Sequence, residues 1–383
     1  MLRTVESLQG RQEHRRTKIR LPSLKGLRIL LLPQPSPARA GLGYFQRKKT
    51  LKTSSRAMRS RALRLFYKRD WRARLTFPSI RFTGFLFVLG LSGACQRSPL
   101  ETQAQSGPAK KIWEEFSGER ALAHVQVMVD FGPRPPATEA IETTRDYLKK
   151  QLELSGWKVT RQAFTDDTPR GKIAFVNLIA TFAEKDGAPS FLLCSHYDTK
   201  TFDTVRFVGA NDGGSSTGVL LELARVLALR PDLGRKAELV FFDGEEAYEV
   251  FSETDGLYGS RYFAKQLAAE AKTKQFRGGI LLDMVGDRSL TITLPPDSPA
   301  GMARDIFASA EALNLRKNFT YFDRGITDDH TPLNAVGIPT IDLIDFDYPP
   351  WHTADDTIDK LSAESLRIVG AVASYYLSEM APK

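Results

Sequence analysis

The stretch LVFFDGEEA, residues 239–247, runs from apolar residues straight into two adjacent glutamates, Glu245 and Glu246. An unbroken apolar run of this kind fits a strand buried on both faces of a sheet. A carboxylate pair held at the end of such a strand suits hydrolytic or acyl-transfer chemistry. One carboxylate can hold a cation while its neighbour moves a proton. Taken alone, an acidic doublet is more often a solvated loop, so the reading depends on what else the chain brings to the same place.

Four further segments share the pattern: FLLCSHYD at 191–198, FVGANDG at 207–213, GILLD at 279–283, and TIDLI at 340–344 with Trp351-His352 after it. Each ends in, or is followed by, a His or an Asp, which are zinc-type ligands. Short apolar runs spaced by amphipathic helical segments predict a single α/β domain, a three-layer α/β/α arrangement with a mostly parallel central sheet. Functional residues of such sheets gather outside the carboxyl ends of the strands. His196, Asp198, Glu245, Glu246 and Asp283 fall at those ends, and His352 lies on the loop after another strand. Convergence of distant positions on one edge is a stronger signal than any one motif.

Amphipathic spacing predicts helices over 112–131, 138–156, 260–271, 300–313 and 362–379, and a strand over 174–181. DGGSST at 212–217 opens another helix, with Val219, Leu220, Leu223, Val226 and Leu227 on its apolar face. There Gly213 and Gly214 let the backbone approach a metal, and Ser215 or Ser216 can cap the helix.

The net charge of +9 averages two unlike parts. Residues 1–95 hold 22 of the 54 Lys and Arg but only three acids, Glu6, Glu13 and Asp70. The remainder carries 32 basic and 42 acidic residues, so the folded part offers no electrostatic footprint for nucleic acid. Within the basic leader, residues 82–94 (FTGFLFVLGLSGA) are apolar but too short to span a bilayer, which takes ~20 residues. They fit a secretory apolar region behind a basic one, and LSGAC at 91–95 resembles a bacterial lipobox with Ser92 in an aliphatic place. The expectation is an exported protein, periplasmic or membrane-anchored through a lipid on Cys95, or else simply cleaved nearby and secreted. Met58 would give a leader of more usual length. A polar linker follows at 96–108, then the catalytic domain at 109–383. With Cys95 and Cys194 the only cysteines, a disulfide framework is excluded, and Cys194 reads as a buried inert thiol.

The series His196-x-Asp198, Asp212, Glu245-Glu246, Asp283, His352 resembles the M28 type of zinc aminopeptidase superfamily. Within it, the chain is most similar to the animal-type glutaminyl-peptide cyclotransferases. The distinguishing stretch is the long insertion AYEVFSETDGLY at 247–258 before Gly259-Ser260, together with YDTK at 197–200, DDHTP at 328–332 and WHT at 351–353. The resemblance implies Asp212, Glu246 and His352 as ligands of one zinc, a set that leaves a fourth position open. It implies Glu245 as the proton shuttle, Asp283 and Asp328 as its acidic partners, and Trp351 and Phe251 as walls of the substrate pocket. His196 and Asp283 keep the residues of a second metal position. Phe251 stands where the family carries a Trp, and Asp342 where it carries a His. The implied substrate is the N-terminus of a peptide or protein, whose glutamine is closed to pyroglutamate. Two alternatives use the same residues: an M28 aminopeptidase with Glu245 acting on a zinc-bound water, and a non-catalytic binding module. The second is expected to have lost a ligand or Glu245, and none is missing.

Overall fold

The computed structural model describes residues 111–182 and 190–381. The chain divides into units Met1–Gln96 and Arg97–Lys383, and every described residue belongs to the second. The basic leader, the apolar segment 82–94, Cys95 and the linker 96–108 lie outside the described residues.

Among the described residues, eight strands form one sheet. In chain order they are β1 (Trp157–Thr168), β2 (Gly171–Phe182), β3 (Ser190–His196), β4 (Ala237–Phe242), β5 (Phe276–Asp283), β6 (Ile292–Leu294), β7 (Phe319–Tyr321) and β8 (Thr340–Ile344). Their spatial order is β1-β2-β4-β3-β5-β8-β6-β7. The centre, β4-β3-β5-β8, is parallel throughout. Every residue of β3, β4 and β8 is buried, which is why these strands read as predominantly apolar, and the polar residues they hold, such as Glu238 and Asp342, are buried with the rest.

Alternate residues of the central strands feed two cores. Leu193, Leu239, Phe241, Ile280, Leu282, Ile341 and Leu343 face one layer, and Leu192, Cys194, Val240, Phe242 and Leu281 face the other. The first layer is built mainly on helices α1 (Gly118–Phe131), α2 (Glu139–Leu154), α3 (Gly214–Ala228), the short α4 (Pro231–Gly234), α6 (Ala300–Ala312) and α8 (Ala363–Tyr375). The second uses α5 (Tyr258–Ala269) and α7 (His330–Ala335). This is the three-layer arrangement expected from the sequence.

Three local expectations differ. The helix expected from residue 112 begins only at Gly118, because the Ser117 hydroxyl accepts from the Arg120 N–H at 3.2 Å and caps it there. Ile112 and Phe116 ahead of it are still buried. At α3 neither Ser215 nor Ser216 is the cap. The N-cap is Gly213 at φ +72°, the Ser215 hydroxyl donates to Asn211 O, and Ser216 accepts from Ser195. β1 escaped the sequence reading because it is the sheet's edge, where most of its residues are exposed or half-buried and polar.

Helix α3, which follows Asp212, is pressed against α1 at Gly218. A Cβ there would lie 2.6 Å from Ala121 O and 2.7 Å from Val125 Cγ2. Gly218→Ala is therefore expected to lower the unfolding free energy by about 1–3 kcal/mol, the typical result of overpacking, measured by urea denaturation.

Candidate metal and catalytic site

The parallel register sets the site. β3 and β4 pair His196 with Phe242, three residues before Glu245, and β5 and β8 pair Asp283 with Ile344. Four strand ends and the loop before α3 thus deliver His196, Glu245, Glu246, Asp283, His352 and Asp212 to one edge.

Asp212 is the hinge of two donor sets. One of its oxygens, Oδ2, lies 3.3 Å from His352 Nε2, which is 3.2 Å from Glu246 Oε2. Its other oxygen, Oδ1, lies 3.3 Å from His196 Nε2, which is 3.2 Å from Asp283 Oδ1. Donors held about 2.0–2.1 Å from a tetrahedral zinc stand roughly 3.3 Å from one another, so both sets have the spacing of a first coordination shell. Asp212 Oδ2 and Glu246 Oε2 are buried without a hydrogen bond, as carboxylate oxygens aimed at a cation would be. The residues present fit the metal.

The backbone behind these donors is tied down by carboxylates. Asp198 accepts from the Glu245 and Glu246 N–H groups at 3.1 and 3.4 Å. Asp356 accepts from the Asn211 and Asp212 N–H groups at 2.8 and 3.1 Å, and from the Tyr348 hydroxyl at 2.7 Å. Buried Arg134 donates to the carbonyls of Tyr197, Val208 and Gly209, drawing two loops together. Gly213 must be glycine, since a Cβ on it would meet Asp198 O at 2.7 Å and His196 Cε1 at 2.9 Å. His352 itself sits at φ +56°, a left-handed conformation costly for a side chain and one that functional sites hold by over-determination. Asp356, Arg134 and Tyr348 were not singled out in the sequence. The doublet Asp355-Asp356 is the signal that could have found the first of them.

Charge is crowded here. Burial, with Glu246, Asp328 and Asp329 nearby, pushes the Glu245 carboxyl well above its usual range despite His196. Burial and Asp283 raise Asp328 to about 6. Burial also raises Asp283 itself, His196 opposing. Burial works against the His352 imidazolium, but the Asp212 and Glu246 carboxylates outweigh it and hold it up at about 9; a cation would take the place of that proton. Asp342 is fully buried, its Oδ2 3.6 Å from His330 Nδ1, so an imidazole still stands beside this position, contributed by α7.

The pocket over these groups has a volume of about 230 Å³ and is lined by Asp212, Glu245, Glu246, Asp283, Asp328 and His352, with Phe251 and Trp351 among its apolar walls. Of the residues singled out in the sequence, Asp212, Glu245, Glu246, Asp283, Asp328, His352, Phe251 and Trp351 thus line one pocket, whereas His196, Asp198 and Asp342 do not line it and are buried, at most 1 % exposed. Tyr248 does not join Phe251 over the site. It packs instead with Phe164, Phe175 and Tyr258, because the loop turns back on Asp255. That carboxylate accepts from the N–H groups of Tyr248, Glu249 and Val250 at 2.8, 2.8 and 3.2 Å, and from the Tyr258 hydroxyl at 2.9 Å. Lys200 secures the other end, donating to Ala247 O at 2.6 Å beside Glu246.

The family model for peptidase family M28 matches residues 177–377. A glutaminyl-peptide cyclotransferase of Boiga dendrophila is 30% identical over 291 residues, covering 66% of this chain and 78% of its own. Among solved structures, an Acidobacteriales bacterium glutaminyl cyclase superposes with a TM-score of 0.65 at 30% identity, over 74% of this chain and 98% of its own. A Zn-dependent exopeptidase from Parabacteroides distasonis gives 0.64 at 29%, over 69% and 98%.

Removing the acceptor at the centre of the 247–257 loop strands three backbone donors. Asp255→Ala is expected to destabilise the loop by about 1–3 kcal/mol, read as faster protease cleavage within 248–255 at unchanged far-ultraviolet circular dichroism.

Proposed function

This chain belongs to the glutaminyl-peptide cyclotransferases of peptidase family M28, and on that premise we propose that it closes N-terminal glutamine to pyroglutamate with a single zinc held by Asp212, Glu246 and His352. The observation that carries the proposal is the placing of Glu245: a buried carboxyl with a raised proton affinity, next in sequence to one of the donors and lining the same small pocket. When bound, the zinc would polarise the side-chain amide carbonyl as a Lewis acid.

The chain's own residues do the rest. Glu245 takes a proton from the substrate α-amine as that nitrogen bonds to the side-chain amide carbon. It gives the proton to the departing nitrogen as the old C–N bond breaks and ammonia leaves, one group serving as base and then acid. Asp328 and Asp283 keep Glu245 in a form able to hold a proton, since neighbouring negative charge disfavours its ionisation. Phe251 and Trp351 supply apolar walls for a compact neutral side chain folded back on its own amine, and excluding water there disfavours hydrolysis. In this reading His196 stays a partner of Asp283 and Asp212 below the pocket.

A second reading has a specific observation behind it. His196, Asp212 and Asp283 also form a complete donor group, as a two-metal aminopeptidase would need, and product analysis separates the two. A Gln-initiated peptide should lose about 17 Da, the mass of ammonia, and no residue; release of free amino acid would install the peptidase reading. We also propose that the protein is exported, with Cys95 as a lipid-bearing residue; globomycin-insensitive processing in a bacterial host would refute the lipid.

His352→Ala is expected to abolish both activity and zinc retention, because the remaining Asp212 and Glu246 carboxylates bind zinc poorly without the imidazole. Metal analysis after gel filtration checks it, and stoichiometric zinc in the variant would sink the assignment. Glu245→Gln should keep fold and metal while slowing turnover by roughly 10²-fold or more, the usual contribution of a proton-transfer group. A rate within a few-fold of the parent would remove Glu245 from that role.

A further inference from the structure

The reaction pocket has a larger neighbour. Phe251 and Thr327 line both the pocket at Glu245 and a second cavity of about 730 Å³ between α5 and α7. The floor of this second cavity is apolar. Leu257, Ala264 and Ala268 come from α5 and its N-cap, and Pro332, Ala335 and Val336 from α7 and its C-cap. Ala264 belongs to the core under this side of the sheet and Val336 packs against that core, so the floor is part of the packed fold. Ala268 and Ala335 are exposed. Short side chains at three of these positions leave a trough where larger ones would fill the groove between two helices. Its edges carry Glu253, Arg261 and Lys265, with the hydroxyls of Ser252, Thr327 and Thr331.

The wall between the two cavities is held in place. The Phe251 ring lies so close to Gly256 that a Cβ there would meet it at 2.6 Å, and Gly256 takes φ +87°, which glycine adopts freely. Lys200 Nζ stands 5.9 Å from the centroid of the same ring. Asp255, bound to the Tyr248, Glu249 and Val250 N–H groups, fixes the backbone that carries it. One ring therefore ends the reaction pocket and begins the trough.

Size and chemistry indicate what the trough would hold. Cavities that bury a ligand run to about 300–1,000 Å³ and pair apolar walls with a few polar groups. The reaction pocket, about 230 Å³, suits one compact residue, and the trough suits a longer stretch. An N-terminal glutamine is attached to such a stretch, and an extended chain advances about 3.3–3.6 Å per residue. Its alternate side chains can settle on the apolar floor while the hydroxyl and charged groups at the edges meet its backbone amides and carbonyls. A hydrocarbon ligand has nothing to offer those edge groups.

Resting on the cyclotransferase reading, we propose that the trough between α5 and α7 is an exosite for the substrate polypeptide from its third residue onward, with a preference for apolar side chains. The contact lies away from the reacting atoms and is made equally in ground and transition states, so it lowers KM and leaves kcat alone.

The test compares two peptide amides that share their first two residues, Gln-Gly-Gly-Gly-Gly and Gln-Gly-Leu-Val-Leu, following ammonia release and product mass. The parent protein is expected to favour the apolar peptide by roughly 3–10-fold in kcat/KM, the effect of partly burying aliphatic side chains, with the difference in KM. Ala268→Glu and Ala335→Glu each put a charged chain into the trough from an exposed position on a different helix. Both should bring the ratio close to one without changing the rate on the glycine peptide. A ratio near one in the parent, or one that survives both substitutions, would overturn the exosite while leaving the reaction standing. A surviving ratio in proteins that the substitutions turn from dimer into monomer would give the trough to a second copy of the chain, and overturns the exosite equally. No pyroglutamate from either peptide would overturn the reaction, and the exosite with it.

Discussion

The constraint on which this molecule turns is electrostatic. Asp212, Glu245, Glu246, Asp283, Asp328 and Asp329 are all buried at one edge of the sheet, each under 8 % exposed. Carboxylates that close raise one another's proton affinity, and burial raises it further. His196, His352 and Lys200 supply the positive charge among the described residues at the metal donors. Such an edge persists only because the rest of the fold over-determines it. Asp198, Asp356 and Asp255 bind backbone N–H groups, fixing the loops so that the carboxylates cannot swing out into water. A divalent cation relieves the same repulsion, so metal binding and the integrity of this edge are two views of one balance.

Much of this was legible in the sequence because burial on two faces writes itself as an apolar run. β3, β4, β5 and β8 were visible for that reason, and the ligand types at their ends gave the location of the site. The resemblance to the M28 cyclotransferases then supplied roles that spacing alone leaves open. The pieces that stayed hidden depend on tertiary partners. Asp356 looks like any acidic loop residue until Asn211 and Asp212 turn their N–H groups toward it. Tyr248 and Phe251, three residues apart in one loop, part company because Asp255 curls the backbone between them: Phe251 lines the pocket and Tyr248 packs with Phe164, Phe175 and Tyr258. The Ser215 hydroxyl, expected at a helix cap, is drawn to Asn211 O, and it also accepts from the Val285 N–H, so it locks the loop after Asp283 to the start of α3.

The two departures from the family pattern sit in different physical settings. Phe251 keeps an apolar wall where an indole would stand, a change in what the pocket can donate more than in its shape. Asp342 replaces an imidazole with a carboxyl inside an already acidic edge, and burial with Asp328 and Asp283 pushes its proton affinity well up. His330, at the start of α7, places its imidazole Nδ1 3.6 Å from Asp342 Oδ2.

The Asp356 clamp also sets a clock. Its bonds to the Asn211 and Asp212 N–H groups join residues 145 and 144 apart in the chain, and His352 lies almost as far from Asp212. Contacts so distant form late, since the intervening chain must be ordered before they repay its closure. During synthesis Asp212 and Glu246 emerge well before the segment that carries His352 and Asp356. The loop that begins at Asn211 can therefore be held by Asp356 only once the last strand and the loop after it have been made.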